Sequence, residues 1–246
     1  MKIEVIGRGN VGNQFARIFG VTPVPPRSLE GLSRDADLYI IAVSDSAVAS
    51  VAKSMPQVKG VVVHTTGSVP MDVLASVRCK GYGVLYPFQS ISKSRPLRAS
   101  DIPLLIEAGD DATLGFIATT AENFGFKQVQ PADSEMRRRV HLTGIFANNF
   151  TNAMIGISQK LLSECCLDPD IVTPLIAETF EKIKTIPAKE AQTGPAARND
   201  QATIEKHLQM LESLGMRQES DIYRLISTYI TGHHTLTEPA QKGTTH

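Results

Sequence analysis

A glycine-rich turn near the start of the chain has the spacing of a phosphate-binding loop. Residues 7–12 read GRGNVG, which matches G-x-G-x-x-G directly after an apolar run at residues 3–6. In this pattern the first glycine makes the tight turn, the second lets the backbone approach a pyrophosphate, and the third allows close helix packing. The helix N-terminus then offers unpaired N–H groups to phosphates. We therefore predict a dinucleotide site, with a ligand-free glycine turn as the alternative, at Gly7, Arg8, Gly9, Asn10, Val11 and Gly12.

The residues expected at the adenosine end of this site favour NADP over NAD. An acidic residue about 20 positions after the first glycine binds the ribose of NAD, whereas an arginine suits the 2′-phosphate of NADP. Arg27 and Ser28 stand at that position, although Arg27 could also be an ordinary surface residue. Only residues 28–37 then precede the apolar run that begins at Leu38, fewer than a usual parallel crossover needs. We expect a shortened second βα unit and weakened cofactor binding.

A histidine and two asparagines share one face of a long helix predicted over residues 133–164. His141, Asn148 and Asn152 are spaced i, i+7 and i+11. A histidine can supply a proton near neutral pH, and an asparagine can orient a substrate oxygen. These residues are candidates for catalysis; the alternative is that they only hydrogen-bond between packed helices.

The segment TGPAARND at residues 193–200 holds candidate substrate contacts. A glycine–proline pair makes a turn there. Arg198 could hold a carboxylate or phosphate with two parallel hydrogen bonds, or form a surface ion pair instead. Asp200 could pair with Arg198 or cap the following helix. Thr193 is included with them as a possible substrate contact.

The composition excludes several classes of partner. Lysine plus arginine and aspartate plus glutamate number 25 each, so no net charge favours nucleic acid or an anionic membrane. The short basic run at residues 137–139 is interpreted as a solvated helix face. The three cysteines lack zinc-site spacing and predict reduced thiols, and the chain shows neither a leader nor a membrane-spanning run. A cytoplasmic protein with a small-molecule substrate and no bound metal is expected.

Two patterns of hydrophobicity divide the chain near residue 131. Residues 1–130 alternate short apolar runs with helical patterns, which predicts a doubly wound, Rossmann-like parallel sheet of the α/β class. A helix is predicted from Pro70 in this part. Residues 131–246 show helical patterns only, including a last helix that ends at Gly232 and a frayed polar tail. An all-α domain for substrate binding and dimerisation is predicted there.

Five segments together resemble a Rossmann-like family of F420-dependent-type NADP oxidoreductases that carry a second, helical domain of unknown function. They are VIGRGNVG, HTTGSVP, YPFQSIS, HLTGIFANNFTN and TGPAARND, and the likeness extends from residue 2 to about 230. The family is similar to pyrroline-5-carboxylate reductase and to the 6-phosphogluconate dehydrogenase superfamily. The resemblance implies hydride transfer between a nicotinamide and a small carbonyl or imine, and a homodimer formed through the helical domain. The alternative is a non-catalytic nucleotide-binding or sensing protein with a degenerate cofactor site.

The resemblance also suggests roles for individual residues. The family motif suggests Asn149 as the catalytic partner of His141, whereas helical phase favours Asn148. Both asparagines are kept as candidates. In related dehydrogenases the loops after the second and third strands face the ribose and nicotinamide. Helix capping is the alternative for Asp45, and a buried, hydrogen-bonded histidine is the alternative for His64. The residues assigned on this basis are Ser44, Asp45, His64, Thr65 and Ser68 for the cofactor and Gln89 for the substrate.

Overall fold

A computed structural model describes residues 1–235 of the chain. The chain forms two compact units, the first spanning Met1–Asn152 and the second beginning at Ala153. The units therefore divide later than residue 131, where the sequence pattern changes. Residues 236–246, in which the polar tail was predicted, lie outside the described part.

The first unit is built on a six-stranded sheet. Its strands follow one another in chain order across the sheet, and every pairing is parallel except that between the fourth and fifth strands. The Rossmann-like α/β class is confirmed, but the sheet is not wholly parallel. The segment between the fourth and fifth strands holds only a short 3₁₀ turn, so no crossover helix returns the chain to a parallel start. The strands are β1 (Ile3–Ile6), β2 (Leu38–Ile41), β3 (Val61–His64), β4 (Gly81–Pro87), β5 (Leu104–Ala108) and β6 (Val129–Pro131).

Apolar side chains cover both faces of the sheet. Alternate residues of each strand enter different clusters, so that Ile40 packs with Phe15 on one face while Ile41 packs with Leu74 on the other. Burial on both faces explains why these strands read as continuous apolar runs. The helices of this part are α1 (Asn10–Phe19), α2 (Asp45–Ser54) and α3 (Asp111–Asn123), and the helix predicted from Pro70 is only a 3₁₀ turn, Met71–Leu74.

The shortened second βα unit is present as predicted. Val24 forms a single parallel bridge with Ile6, where its carbonyl accepts from the Gly7 amide at 2.9 Å. The following residues make turns rather than a helix up to β2. Leu32 is buried in the same cluster as Leu74, so a compact loop replaces the missing helix.

The predicted long helix is interrupted by a wider π-helical turn. The helix α4 (Ser134–Gly144) begins after Asp133, whose carboxylate accepts from the Met136 amide at 2.7 Å. The π-turn spans Ile145–Phe150 and continues into α5 (Thr151–Glu164). Because a π-turn holds more residues than an α-helical turn, the 3.6-residue spacing from His141 onward no longer places residues on one face.

The second unit contains helices and no strand within its described residues. Its small core joins Ala196, Ile204 and Leu208, with Tyr223 and Ile230 packed against them. No helix within residues 1–235 is long and apolar enough to cross a membrane. Besides α5 it contains α6 (Thr173–Lys182), α7 (Ala188–Ala191), α8 (Gln201–Ser213) and α9 (Arg217–Thr235), the last of which continues past the predicted end at Gly232.

A buried arginine attaches α4 to the sheet, contrary to the expected solvated basic run. Arg137 is fully buried and pairs with Glu107 of β5, whereas Arg138 and Arg139 are exposed. The guanidinium also donates to the Val69 carbonyl at 2.6 Å, and Ser134 donates to Glu107 at 2.9 Å. The run was misread because only one of the three positions faces the sheet in a helix.

Removal of the buried arginine should strongly destabilise the protein. Arg137→Ala would leave Glu107 without its ion-pair partner in a largely buried place, so we expect a loss of about 3 kcal/mol or more in urea unfolding. Arg139→Ala is the matched control, because that arginine forms an exposed i,i+4 pair with Glu135. It should cost less than about 0.5 kcal/mol. Equal losses in the two variants would contradict the anchoring role.

Candidate active site

A cavity of about 720 Å³ runs along the carboxyl ends of β1, β2 and β3 in the first unit. It begins at the glycine turn, passes the loops after β2 and β3, and reaches His141 on α4. Its lining combines glycines, small polar residues such as Ser44 and Thr65, and apolar residues such as Val43 and Val51. The site residues predicted from sequence that line it are Gly7, Arg8, Gly9, Asn10, Val11, Arg27, Ser44, Asp45, Thr65 and His141.

The glycine turn has the shape that a pyrophosphate requires. Gly7 has φ +124°, and a Cβ there would overlap the Ala42 carbonyl. A Cβ at Gly12 would overlap the Gly7 carbonyl, so these two glycines serve the fold. Gly9 differs, because a Cβ built there meets nothing within 4 Å. The space beside Gly9 and the side-chain-free N-cap of α1 fit a bound phosphate group.

A second cavity of about 610 Å³ lies beside the shortened unit and shares four lining residues with the first. Pro26, Leu29 and Leu32 line one part of it, and residues of α2 line another. Arg27 lines both cavities, and Arg34 lines the second; neither side chain has a hydrogen bond or ion pair within residues 1–235. Ser28 lines neither cavity. The short loop thus supplies apolar walls to this cavity.

The loops after β2 and β3 contribute unequally to the first cavity. Ser44 precedes α2 without capping it through its side chain, and Asp45 begins that helix. The Ser68 hydroxyl donates to the Asp45 carboxylate instead of lining the cavity. Thr65 lines the cavity although most of its surface is buried. The two loops are therefore linked to each other through Ser68 and Asp45.

His64 differs from its predicted place at the cofactor. It is fully buried, lines neither of the two cavities described above, and receives a hydrogen bond at Nδ1 from the Thr66 amide at 3.2 Å. Its Nε2 has no hydrogen-bond partner among the described residues. Burial, together with the positive charge of Arg137, lowers the pKa of His64 to about 4. These observations favour the alternative of a buried, hydrogen-bonded histidine.

His141 lies where the first cavity meets a third, smaller one of about 290 Å³. Its Nδ1 is 3.0 Å from the Tyr86 hydroxyl, and both residues line both cavities. A Cβ on Gly67 would lie 2.7 Å from Nδ1, so the Gly67 backbone packs directly on the ring. Burial and the negative charge of Asp45 raise the pKa of Tyr86, which keeps its hydroxyl protonated at neutral pH.

The third cavity brings together carboxamides from two parts of the first unit. Asn148 and Asn149 both line it, and Asn148 donates to Asn149 at 3.2 Å. Gln89 also lines it, while its Nε2 donates to the Asp101 carbonyl at 2.9 Å. Asn152 does not line it. The π-turn accounts for this arrangement, because it brings two consecutive asparagines to the side that an unbroken α-helix would give to Asn148.

The remaining predicted substrate contacts lie in the second unit. Asp200 caps α8, accepting from the Thr203 amide at 3.1 Å and from its hydroxyl at 2.7 Å. These hydrogen bonds from Thr203 lower the pKa of Asp200. Arg198 and Thr193 are exposed. The capping alternative thus accounts for Asp200, and Arg198 stays a prediction.

Sequence reasoning missed Tyr86 and Gly67. Tyr86 belongs to YPFQSIS, and Gly67 belongs to HTTGSVP, two of the segments that carried the family resemblance. A tyrosine at the end of a strand is a polar group at the edge where ligands bind, which was the available signal. Its partnership with His141 could not be predicted, because it joins residues 55 positions apart.

The buried His64 should make the folded state less stable in acid. Because its folded pKa of about 4 lies below the unfolded value near 6.5, the unfolded chain takes up the proton first as the pH falls. His64 should therefore cost nothing above pH 7 and up to about 3 kcal/mol by pH 4. In urea unfolding, His64→Gln should lose less stability than the wild type over this range. Parallel pH profiles would contradict the buried neutral ring.

Solved structures of oxidoreductases share this fold. A Bacteroides fragilis protein named "putative NADP oxidoreductase" is 32% identical, with a TM-score of 0.83 over 94% of this chain and 97% of that chain. The pyrroline carboxylate reductase of Plasmodium falciparum with NADP bound is 11% identical, with a TM-score of 0.57 over 95% and 98%. An imine reductase of Myxococcus stipitatus in complex with NADP⁺ is 12% identical, with a TM-score of 0.59 over 95% and 96%. The last two likenesses concern the fold alone.

The family assignment rests on sequence as well as on structure. No protein with a curated description matches the chain. Residues 102–230 match the family described as Domain of unknown function (DUF2520), and this stretch holds α4, the π-turn and the segment TGPAARND. It covers more than half of the chain, and the Bacteroides fragilis protein is similar in sequence and fold over nearly the whole chain. The chain therefore belongs to the DUF2520 family, in the setting of a Rossmann-like oxidoreductase fold.

Proposed function

We propose that this protein is an NADP-dependent oxidoreductase that acts on a small carbonyl or imine compound. One observation carries the proposal: a single cavity joins the open space at Gly9 to His141, which also borders a separate cavity lined with carboxamides. The first cavity, of about 720 Å³, runs from the glycine turn to His141. The third cavity, which the carboxamides line, is of a size suited to a small substrate. The NADP-related neighbours support the same cofactor class.

The residues of the first and second cavities would hold the cofactor. The amides at the start of α1 would bind the pyrophosphate, where Gly9 leaves room and no acidic side chain lies in the first helical turn. Arg27 would bind the 2′-phosphate, because its guanidinium lines the cavity and has no other partner among the described residues. Ser44, Asp45 and Thr65 would contact the ribose and nicotinamide. When bound, the cofactor supplies or accepts a hydride.

The residues of the third cavity would manage the proton and the substrate oxygen or nitrogen. His141 can donate a proton to the reacting heteroatom or accept one from it. Asn148 and Asn149 can donate to the reacting heteroatom without competing for that proton. Gln89 is less free to do so, because its amide already donates to the Asp101 carbonyl. Arg198 is proposed as an anchor for an anionic group of the substrate, since its side chain is exposed and forms no ion pair within residues 1–235.

The alternative of a non-catalytic nucleotide sensor depends on the shortened second unit. The cavity beside this unit speaks against a degenerate cofactor site. Leu29 and Leu32 give it apolar walls, and Arg27, which has no hydrogen bond or ion pair among the described residues, lines it as well. A sensor also has no need for Tyr86 and His141 in hydrogen-bond contact between two cavities. We therefore favour the enzyme.

A second copy of the chain is proposed to cover the apolar residues of the helical region. In the second unit, Ile171, Leu175 and Phe180 are 56%, 67% and 42% exposed. Apolar side chains concentrated in this way commonly mark an interface between proteins. Light scattering on the full chain should give twice the mass of 26.7 kDa; the monomer mass at micromolar concentration would overturn this proposal.

A methyl group at Gly9 should weaken cofactor binding without harming the fold. Gly9 has φ −73°, which any residue can adopt, and its Cβ position is open. In calorimetric titrations, Gly9→Ala should raise the Kd for both NADPH and NADH at least tenfold, because the methyl group occupies the space proposed for the pyrophosphate. Gly115→Ala is the matched control, since its Cβ position is equally open and lies on α3. Unchanged affinity in Gly9→Ala would show that the pyrophosphate does not bind at this turn.

Loss of the Arg27 guanidinium should affect one cofactor and spare the other. Arg27→Ala should raise the Kd for NADPH about 10- to 100-fold, the usual worth of a charge-assisted hydrogen bond, and should leave the Kd for NADH nearly unchanged. Fluorescence titration with the two cofactors measures this difference. Arg138→Ala serves as a control at an exposed arginine outside both cavities. If the two cofactors weaken equally, Arg27 does not read the 2′-phosphate.

A further inference from the structure

The two nitrogens of His141 have different surroundings. Nδ1 is 3.0 Å from the Tyr86 hydroxyl and is covered on its other side by the Gly67 backbone. Nε2 has no hydrogen-bond partner among the described residues, and it is not one of the buried unpartnered atoms, unlike Nε2 of His64. Since His141 lines both cavities, Nε2 is the ring nitrogen that a ligand can reach.

The position of the ring is fixed from three sides. Arg137, one turn earlier on α4, anchors that helix to Glu107 and to the Val69 carbonyl. Gly67 leaves just enough room for the imidazole, because a Cβ would lie 2.7 to 2.9 Å from three ring and side-chain atoms. The Tyr86 ring meets the imidazole edge to face, with ring centres 6.0 Å apart. The imidazole therefore has little freedom to rotate away from the Tyr86 hydroxyl.

We propose that Tyr86 is a positioning residue that holds Nδ1 of His141 in both protonation states of the ring, so that Nε2 alone exchanges the proton of the reaction. A hydroxyl can do this because it both donates and accepts. Its oxygen accepts from the Nδ1–H of the imidazolium and of the neutral ring left after Nε2 has given up its proton. The hydroxyl can instead donate to Nδ1 when the neutral ring carries its proton on Nε2. A carboxylate in the same place would favour the charged ring only. This inference rests on the proposed function for its reaction, but not for the hydrogen bond itself.

The proton and electron balance is complete for a reduction. The substrate carbon accepts a hydride from the reduced nicotinamide, which is thereby oxidised, and the electron pair of the C=O or C=N double bond moves to the heteroatom. The heteroatom takes the proton from Nε2 of the imidazolium, so one Nε2–H bond breaks and one O–H or N–H bond forms. The ring is left neutral with its remaining proton on Nδ1, and the Tyr86 hydroxyl oxygen accepts the hydrogen bond from this Nδ1–H. Water then returns a proton to Nε2.

The charges around Tyr86 suit this role. Asp45 at the start of α2 and burial of the ring raise the pKa of Tyr86, whereas Arg137 on α4 acts in the opposite direction. The net effect keeps the phenol neutral at physiological pH. A neutral phenol can both donate and accept, whereas a phenolate could only accept.

The direct test is nuclear magnetic resonance of ¹⁵N-histidine-labelled protein without cofactor. Tyr86→Phe keeps the ring that packs against Phe88 and removes only the hydroxyl. We expect the Nδ1 resonance of His141, assigned by its loss in His141→Gln, to move by several parts per million. Tyr82→Phe, on the same strand and without a hydrogen bond to His141, should leave it in place. An unmoved resonance in Tyr86→Phe, or an equal shift in Tyr82→Phe, would overturn the proposal.

Two further measurements separate this inference from the proposed function. Gly67→Ala should displace the ring and move the same resonance even if Tyr86→Phe folds poorly; no movement would count against the fixed ring. With a ketone or imine that the wild type reduces, Tyr86→Phe should lower kcat about 10- to 100-fold and shift the pH profile. Absence of NADPH binding in the wild type would refute the proposed function alone. NADPH binding with an unaltered kcat in Tyr86→Phe would refute this inference alone.

Discussion

The buried ion pair between Arg137 and Glu107 determines where the candidate catalytic side chain lies. A guanidinium without solvent contact is costly to bury unless its charge is paired and its donors are used. Here Glu107 supplies the charge, and the Val69 carbonyl and the Ser134 hydroxyl accept further hydrogen bonds, while Nε has no partner among the described residues. The pair therefore fixes both the position of α4 on the sheet and the path of the loop that follows β3. His141 and Gly67 belong to these two elements, which is why an imidazole can be held so closely against a backbone.

The glycine turn illustrates how fold and ligand binding can use the same short segment differently. Gly7 and Gly12 are required by close approaches within the protein, whereas Gly9 has empty space before it. Of these three glycines, only Gly9 points to a ligand. The shortened second unit likewise serves both the fold and a cavity. Its loop packs two leucines where a helix would otherwise lie, and it still borders the second cavity. The shortened unit thus still contributes to the lining of both cavities at this edge of the sheet.

The sequence predicted those features that depend on local patterns. The alternating apolar runs predicted the α/β sheet, and the distance from Arg27 to Leu38 predicted the short second unit. The features it missed depend on tertiary contacts. The burial of Arg137 could not be read from a run of three arginines, since only the packed helix distinguishes them. The π-turn places both Asn148 and Asn149 at the third cavity. Nothing in the segment IFANNF predicts an extra residue in a helical turn. His64 had two open interpretations, and its burial favours the structural one.

The central claim is that a dinucleotide lies in the cavity between Gly9 and His141. A crystal structure of the full chain with NADPH tests it most directly. The account predicts the pyrophosphate at the start of α1, the 2′-phosphate at Arg27, and the nicotinamide beside Tyr86 and His141. NADPH bound elsewhere on the chain, or bound here with the nicotinamide far from His141, would contradict the account.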